Sequence, residues 1–199
     1  IEAICCMGAP LHKKHKELWN RHLPGTFYEA YGLTEGFFTV LDKNDCDRKA
    51  ESVGCPTPFY EIKIVDDRGK ELPAGKVGEI IGRGPLAMTG YYKQPELTDQ
   101  TVVNGWIHSG DLGFTDDEGF LHLVDRMKDM IISGGINVYP RDIEEVLIKH
   151  SSVREVAVYG VPSEKWGETP LAAVILHQKA TDTPRELLEW VNERVEARF

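Results

Sequence analysis

Three textures of apolar and polar positions follow one another along the chain. The first is Ile1-Glu2-Ala3-Ile4-Cys5-Cys6, which opens as an apolar strand. A segment from about Leu11 to His22 then sets Leu18 and Trp19 against His12, Lys13, Lys14 and Lys16. That arrangement predicts a helix with Leu18 and Trp19 inward and the basic residues on a solvated face. A strand around Thr26 to Ala30 runs on into Tyr31-Gly32-Leu33-Thr34-Glu35-Gly36. Strand, helix and strand at this spacing suit a parallel sheet, where ligands gather at the carboxyl ends of strands.

From about Ser52 to Arg126 the period shortens to two. Phe59-Tyr60-Glu61-Ile62-Lys63-Ile64-Val65 alternates and meets a turn at Asp66-Asp67-Arg68-Gly69. Val77 to Ile81 and Phe120 to Val124 read as further strands, with Asp116-Asp117-Glu118-Gly119 as a second hairpin turn. Short strands with frequent glycine predict a small antiparallel barrel or curled sheet. Beyond Arg126, Tyr139-Pro140-Arg141-Asp142 opens a helix with Ile143, Val146 and Leu147 on one face. Strands at Val153 to Tyr159 and Leu171 to His177 and a helix after Pro184 complete an α+β unit. The fold class is therefore mixed α/β and β. Leu187, Leu188, Val191 and Val195 recur at helical spacing, and Phe199 follows with no stop signal. A chain that starts at Ile1 in a strand and ends in a helix is expected to be a piece of something longer.

Composition narrows the function. The 199 residues hold 41% hydrophobic side chains and carry a net charge of −9, from 23 Lys and Arg against 32 Asp and Glu. This is ordinary globular composition, and the acidic balance argues against a grip on nucleic-acid backbones. The longest apolar run, Leu171 to Leu176, is strand-sized, well short of the roughly 18 residues of a membrane span. The four cysteines include no CxxC pair, so reduced thiols in a cytoplasmic protein are the expectation rather than a disulfide framework or a zinc site. His12 and His15 share a helical face and are read as exposed helix residues.

Four segments carry candidate chemistry. Met7-Gly8-Ala9-Pro10-Leu11 is a small-residue turn between strand and helix, able either to make a tight connection or to lie flat on a planar ligand. Tyr31-Gly32-Leu33-Thr34-Glu35 offers a ring for a base, a hydroxyl for phosphate and a carboxylate for Mg²⁺ within five residues. In Trp106-Ile107-His108-Ser109-Gly110-Asp111 the carboxylate can accept from two vicinal hydroxyls. Trp106 and Ile107 are read as core there, and His108 as a hydrogen-bonded structural histidine. The run from Asp125 to Pro140 crowds charges where the second texture ends, as at a hinge, and places Gly134-Gly135 after an apolar strand.

In this order, with Gly78-Glu79, Gly90-Tyr91-Tyr92, Gly160-Val161-Pro162 and Trp166-Gly167-Glu168 between and after them, the segments resemble the adenylate-forming acyl-CoA synthetase superfamily over nearly the whole chain. The resemblance implies the end of a large N-terminal α/β subdomain with a parallel layer (1–50), a small antiparallel β-barrel subdomain (51–127) and a partial, mobile α+β C-terminal domain (128–199). It implies two half-reactions. ATP and a carboxylic acid give an acyl-adenylate and pyrophosphate; coenzyme A then takes the acyl group and AMP leaves. By that likeness Gly8, Ala9 and Pro10 lie beside adenine, Tyr31 and Gly32 hold it, and Thr34 bonds the α-phosphate. Glu35 is the metal ligand for Mg²⁺ and forms the catalytic pair with Thr34. Asp111 binds ribose with help from Arg126, and Lys128 is the hinge. Gly134, Gly135 and Trp166 border the coenzyme A path, while Gly36 and Phe37 contribute to the acid pocket.

Two departures are visible: Glu29 stands where a related aryl ligase often has Gln, and Ile132 where luciferase-like members carry a second Lys. Ser133-Gly134-Gly135 also differs from the Arg-Gly segment of peptide-synthetase adenylation domains and the Lys-Tyr-Lys-Gly loop of luciferases. A carrier-protein acceptor and a non-catalytic nucleotide-binding or interaction module on the same scaffold stay open as alternatives. The family's phosphate loop would precede Gly8 and its adenylation lysine would follow Phe199. The 199 residues alone are thus expected to show no acid-dependent exchange of pyrophosphate into ATP, and measurable exchange by this chain would overturn that expectation.

Overall fold

The computed structural model describes residues 1–8, 11 and 13–195. They form two compact units, Ile1–Leu123 and Val124–Phe199. The first unit begins with β1 (Ile4–Met7), α1 (Lys13–His22), β2 (Phe27–Leu33), β3 (Phe37–Leu41) and β4 (Cys55–Pro56). β1 and β2 run parallel with Ile4 opposite Phe27, as the crossover through α1 requires. β3 and β4 extend this sheet antiparallel. Phe27, Leu41, Cys46 and Phe120 are buried together, with Leu11 and Trp19 against them.

One side of α1 differs from the helical pattern expected of it. Lys16 is 2% exposed, whereas Leu18 is 48% exposed. The Lys16 ammonium ion-pairs with the equally buried Glu29 carboxylate and donates to the Ser52 carbonyl at 2.9 Å. Hydropathy ranks a lysine by its charge, but a paired and hydrogen-bonded ammonium can be buried while its methylene stem packs.

The same unit continues with β5 (Glu61–Val65), β6 (Gly78–Arg83), α2 (Pro95–Thr101), β7 (Val102–Val103), β8 (Trp106–Thr115) and the start of β9 (Leu121–Arg126), whose residues from Val124 on belong to the second unit. They make a five-stranded antiparallel sheet ordered β5-β6-β8-β7, with β9 paired to β8. The strand expected from Phe59 starts two residues later, because Phe59 adopts a positive φ of 71°. Ile64, Ile80, Ile107 and Leu121 form the core of this sheet, and Phe37 from β3 joins them. Gly82 makes room for it: a Cβ there would sit 2.3 Å from Cγ of Phe37. The first two segments of the chain therefore share one core.

Both hairpin turns are closed by aspartates. Asp66 Oδ1 accepts from the N–H groups of Arg68 and Lys70 at 3.0 and 2.9 Å. Asp116 Oδ1 accepts from Glu118 and Phe120, both at 3.0 Å. Asp116 Oδ2 meets Lys49 Nζ at 2.6 Å, and Arg48 pairs with Glu118. Burial alone raises the Asp116 carboxyl, but Lys49, the Phe120 N–H, His122 and the Glu118 N–H outweigh it and hold the group far below the usual carboxylate range. Stability from this group is fully present at neutral pH; it declines progressively once pH falls below the ordinary aspartate range and is gone below the lowered value.

The second unit holds a 3-10 turn (Met127–Asp129), β10 (Ile131–Ser133), β11 (Ile136–Val138), α3 (Pro140–Leu147), β12 (Val153–Ser163), β13 (Gly167–Leu176) and α4 (Pro184–Asn192). Its sheet is ordered β11-β10-β13-β12. Leu147, Val153, Leu187 and Val191 pack α3 and α4 on that sheet. Pro140 begins α3, and a capping box between Thr183 and Glu186 begins α4.

The Lys16–Glu29 pair generates a stability test. Glu29→Ala strands a buried ammonium and should cost about 3–5 kcal/mol in urea unfolding. Lys16→Met with Glu29→Gln keeps an acceptor for neighbouring backbone and should recover most of that loss. Equal losses in both variants would show that the charge pairing is not what matters.

Candidate functional site

β2 carries Tyr31 to the end of its sheet, and β8 carries Asp111 in the other sheet of the same unit. The Tyr31 hydroxyl donates to Asp111 Oδ2 at 2.8 Å across 80 residues of sequence. The edge of the Tyr31 ring also meets Phe37, with centroids 6.4 Å apart and planes at 67°. Ring and phenol are thus held from two sides.

A local irregularity aims Asp111. Its pairing strand shifts register between Glu79 and Ile81, and Gly110 takes a left-handed φ of 68°. Such bulges turn a side chain out of the regular alternation. Three contacts fix this one. Gly110 N–H donates to Glu79 Oε1 at 3.2 Å, Asp111 N–H donates to Ser109 Oγ at 3.0 Å, and Ser109 Oγ donates to the Ile80 carbonyl at 2.6 Å. His108 Nδ1 lies 2.8 Å from Glu79 Oε2, the structural histidine expected from the sequence. Ile107 is fully buried, also as expected.

β2 ends at Leu33, and a turn closed by Gly36 N–H on the Leu33 carbonyl at 3.2 Å projects Thr34 and Glu35. Thr34 Oγ1 donates to Glu35 Oε2 at 3.0 Å, and the Tyr91 hydroxyl donates to Glu35 Oε1 at 2.7 Å. The Tyr91 bond is the main reason the Glu35 carboxyl sits below its ordinary range; partial burial opposes it. Among the described residues no three His, Cys, Asp or Glu cluster to hold a metal on their own. A single ionised carboxylate bounded by hydroxyls does fit Mg²⁺, which takes one or two carboxylates and completes its shell with phosphate oxygens and water.

The other expected positions divide clearly. Gly8 follows β1 with a φ of 92°, while Ala9 and Pro10 lie outside the described residues. Just beyond them, Leu11 N–H donates to the buried Glu29 Oε1 at 3.1 Å. Gly32 packs on Phe37 and Phe38 so closely that any Cβ would collide. Gly36 is buried against Ala87, and Phe37 is wholly buried, so its ring belongs to the core. The exposed ring beside it is Phe38.

In the second unit Arg126 ends β9 and Lys128 is exposed in the 3-10 turn. Gly134 and Gly135 make the β10–β11 turn with φ values of 58° and 84°. Gly134 N–H donates to the Trp166 carbonyl at 2.8 Å, and the half-exposed indole leaves no room for a side chain at Gly134. The structure thus brings together Tyr31 with Asp111, Thr34 with Glu35, and Gly134 with Trp166. Sequence reading missed Tyr91 and the Glu29–Leu11 contact. Gly90-Tyr91-Tyr92 was visible as a motif, but nothing in it shows which tyrosine turns inward.

Comparison with known proteins places the chain in a family. Residues 1–92 match the AMP-binding enzyme family and residues 142–198 match the AMP-binding enzyme C-terminal domain. The chain belongs to the AMP-binding, adenylate-forming enzyme family. Within it, a long-chain-fatty-acid–CoA ligase of Escherichia coli O6:H1 is 44% identical over 162 residues, covering 81% of this chain and 29% of the ligase. The o-succinylbenzoate CoA synthetase of Bacillus subtilis, solved with its acyl-adenylate intermediate, superposes with a TM-score of 0.89 at 35% identity. That match covers 98% of this chain and 40% of the synthetase. An amide bond synthetase from Marinactinospora thermotolerans has a TM-score of 0.87 at 37% identity, covering 98% and 40%. The chain spans well under half the length of these relatives. No helix among the described residues is long and apolar enough to cross a membrane.

Proposed function

We propose that the protein carrying this chain is an AMP-forming acid–CoA ligase. The observation that carries the reading is the Tyr31–Asp111 bond beside the Thr34–Glu35 turn. It sets a ring, a carboxylate acceptor, a hydroxyl and a second carboxylate on one compact unit, which are the groups a nucleotide needs.

In the first half-reaction the acid's carboxylate attacks the α-phosphorus of ATP, and pyrophosphate leaves. Tyr31 gives adenine a stacking face, Asp111 accepts from the ribose hydroxyls, and the Thr34 hydroxyl donates to the α-phosphate. Glu35 would hold Mg²⁺, which when bound neutralises charge on the phosphates. In the second half-reaction a thiolate attacks the acyl carbon and AMP departs. Arg126 assists at ribose, Lys128 acts as the hinge, and Gly134, Gly135 and Trp166 border the path of coenzyme A. Gly8 with Ala9 and Pro10 lies along adenine, and Gly36 borders the acid. Rotation about a hinge between half-reactions is a gating motion of known type. The domain limits at 50 and 127 belong to this reading, as does a cytoplasmic location, which the four free cysteines favour.

The acceptor has a rival. One relative is an amide bond synthetase, so an amine in place of coenzyme A is the second reading. Full-length protein supplied with ATP, Mg²⁺ and a panel of aliphatic and aromatic acids should release AMP with at least one acid, in proportion to added coenzyme A. AMP release that follows an added amine instead would move the assignment to amide synthesis. No AMP with any acid would leave a non-catalytic nucleotide-binding module.

Asp111 has its own test. A hydrogen bond to a charged acceptor contributes about 1.5–3 kcal/mol, so Asp111→Ala should raise KM for ATP at least about tenfold. An unchanged KM would remove Asp111 from the nucleotide site.

A further inference from the structure

The motif Gly90-Tyr91-Tyr92 has no part in the chemistry above, yet it touches the most consequential carboxylate of the site. We propose that Tyr91 is a positioning residue for Glu35, holding one carboxylate oxygen so that the group meets a divalent cation in a single orientation. The inference rests on the proposed function.

Glu35 is fastened to the segment 86–91 at two points. Its carbonyl accepts from Met88 N–H at 2.7 Å, and its Oε1 accepts from the Tyr91 phenol at 2.7 Å. The next residue, Gly36, lies so close to this segment that a Cβ would come within 2.3 Å of Ala87 Cα. Main chain and side chain of Glu35 are therefore fixed by the same stretch.

Tyr91 is in turn braced by α2. Its N–H donates to Thr98 Oγ1 at 2.9 Å, and Thr98 Oγ1 donates to the Gln94 carbonyl at 2.9 Å. Gly90 has a φ of 142° and lies against Thr98, where a Cβ would be 2.9 Å from Cγ2. A side chain at position 90 would push α2 away and release the phenol. Tyr92, one residue on, is 84% exposed, so the brace selects one of two adjacent tyrosines.

The chemistry follows from the lone pairs. An ionised carboxylate has about four acceptor positions. Tyr91 occupies one on Oε1 and Thr34 one on Oε2, which leaves acceptor capacity on both oxygens. On the proposed reading Thr34 turns to the α-phosphate when nucleotide binds, and Oε2 is released. Tyr91 has no such competing task and keeps the carboxylate plane fixed. Partners of this kind change metal affinity by about 10–100-fold when removed.

The test measures Mn²⁺ binding to the full-length protein with ATP by the electron paramagnetic resonance signal of free Mn²⁺, and ATP binding in EDTA by calorimetry. Tyr91→Phe should raise the Mn²⁺ dissociation constant about tenfold and change metal-free ATP affinity less than about twofold. In a Glu35→Gln background the same substitution should add nothing, because its effect acts through the carboxylate. A purely structural role would weaken both ligands together and persist in that background. Thr98→Val, which loosens the brace and keeps the phenol, should give a smaller change in the same direction. Unchanged Mn²⁺ affinity in Tyr91→Phe, with loss in Glu35→Gln, overturns the role of Tyr91 and leaves the ligase reading standing. Wild-type protein that binds neither ATP nor Mn²⁺ with ATP overturns the reading, and the inference with it.

Discussion

The seating of Phe37 over Gly82 is the contact on which the first unit depends. Phe37 belongs to one sheet and Gly82 to the other, and the ring occupies the volume that a side chain at position 82 would fill. Dense packing admits one relative placement of two such surfaces, because a shift by a methylene leaves a void or a clash. Fixing it places Tyr31 on β2 within a hydrogen bond of Asp111 on β8. It also brings the turn after Leu33 against the segment that supplies Tyr91. The candidate site is a consequence of how two sheets meet, and its polar atoms come from both.

Much of this was legible in the sequence because the relevant signals are local. Period-two alternation, Asp-Asp-Arg-Gly and Asp-Asp-Glu-Gly turns, and proline at the start of helices each rest on a few neighbouring residues. The parallel β1–α1–β2 crossover and the antiparallel sheet follow from such signals. The same is true of the tyrosine, threonine and carboxylate packed into residues 31–35. What stayed illegible depends on contacts distant in sequence. Lys16 is buried because Glu29 and the Ser52 carbonyl meet it, and no helical pattern carries that information. Phe37 sits beside candidate site residues in sequence, but its ring is claimed by a core assembled from five strands and a connecting loop.

Glycine shows the same division between local and distant causes. Gly135 has the left-handed φ angle that a tight β10–β11 turn demands and open space beside it, a local reason that sequence reading can anticipate. Gly82 and Gly32 adopt ordinary backbone, and their need for a bare Cα comes from Phe37 and Phe38. Gly36 and Gly90 combine both causes, with positive φ and a close neighbour. These last two flank the turn and the segment that fix Glu35. A side chain is therefore excluded on the residue after Glu35 and on the residue before Tyr91, which ties the orientation of one carboxylate to two glycines that contribute no functional group to it.

Net charge bears on this site less than its local arrangement. A chain at −9 repels a polyanion at long range, but that field is screened beyond about 10 Å at ordinary ionic strength. Within that distance the first unit offers oriented hydroxyls and two carboxylates, each held by neighbours rather than left to rotate. A carboxylate beside a triphosphate is unfavourable alone and favourable when a divalent cation lies between them. On the proposed reading, Glu35 would then make nucleotide binding tighter with the metal than without it. The acidic balance that argues against a nucleic-acid grip is compatible with this arrangement, because the counter-charge would arrive with the nucleotide instead of residing on the protein.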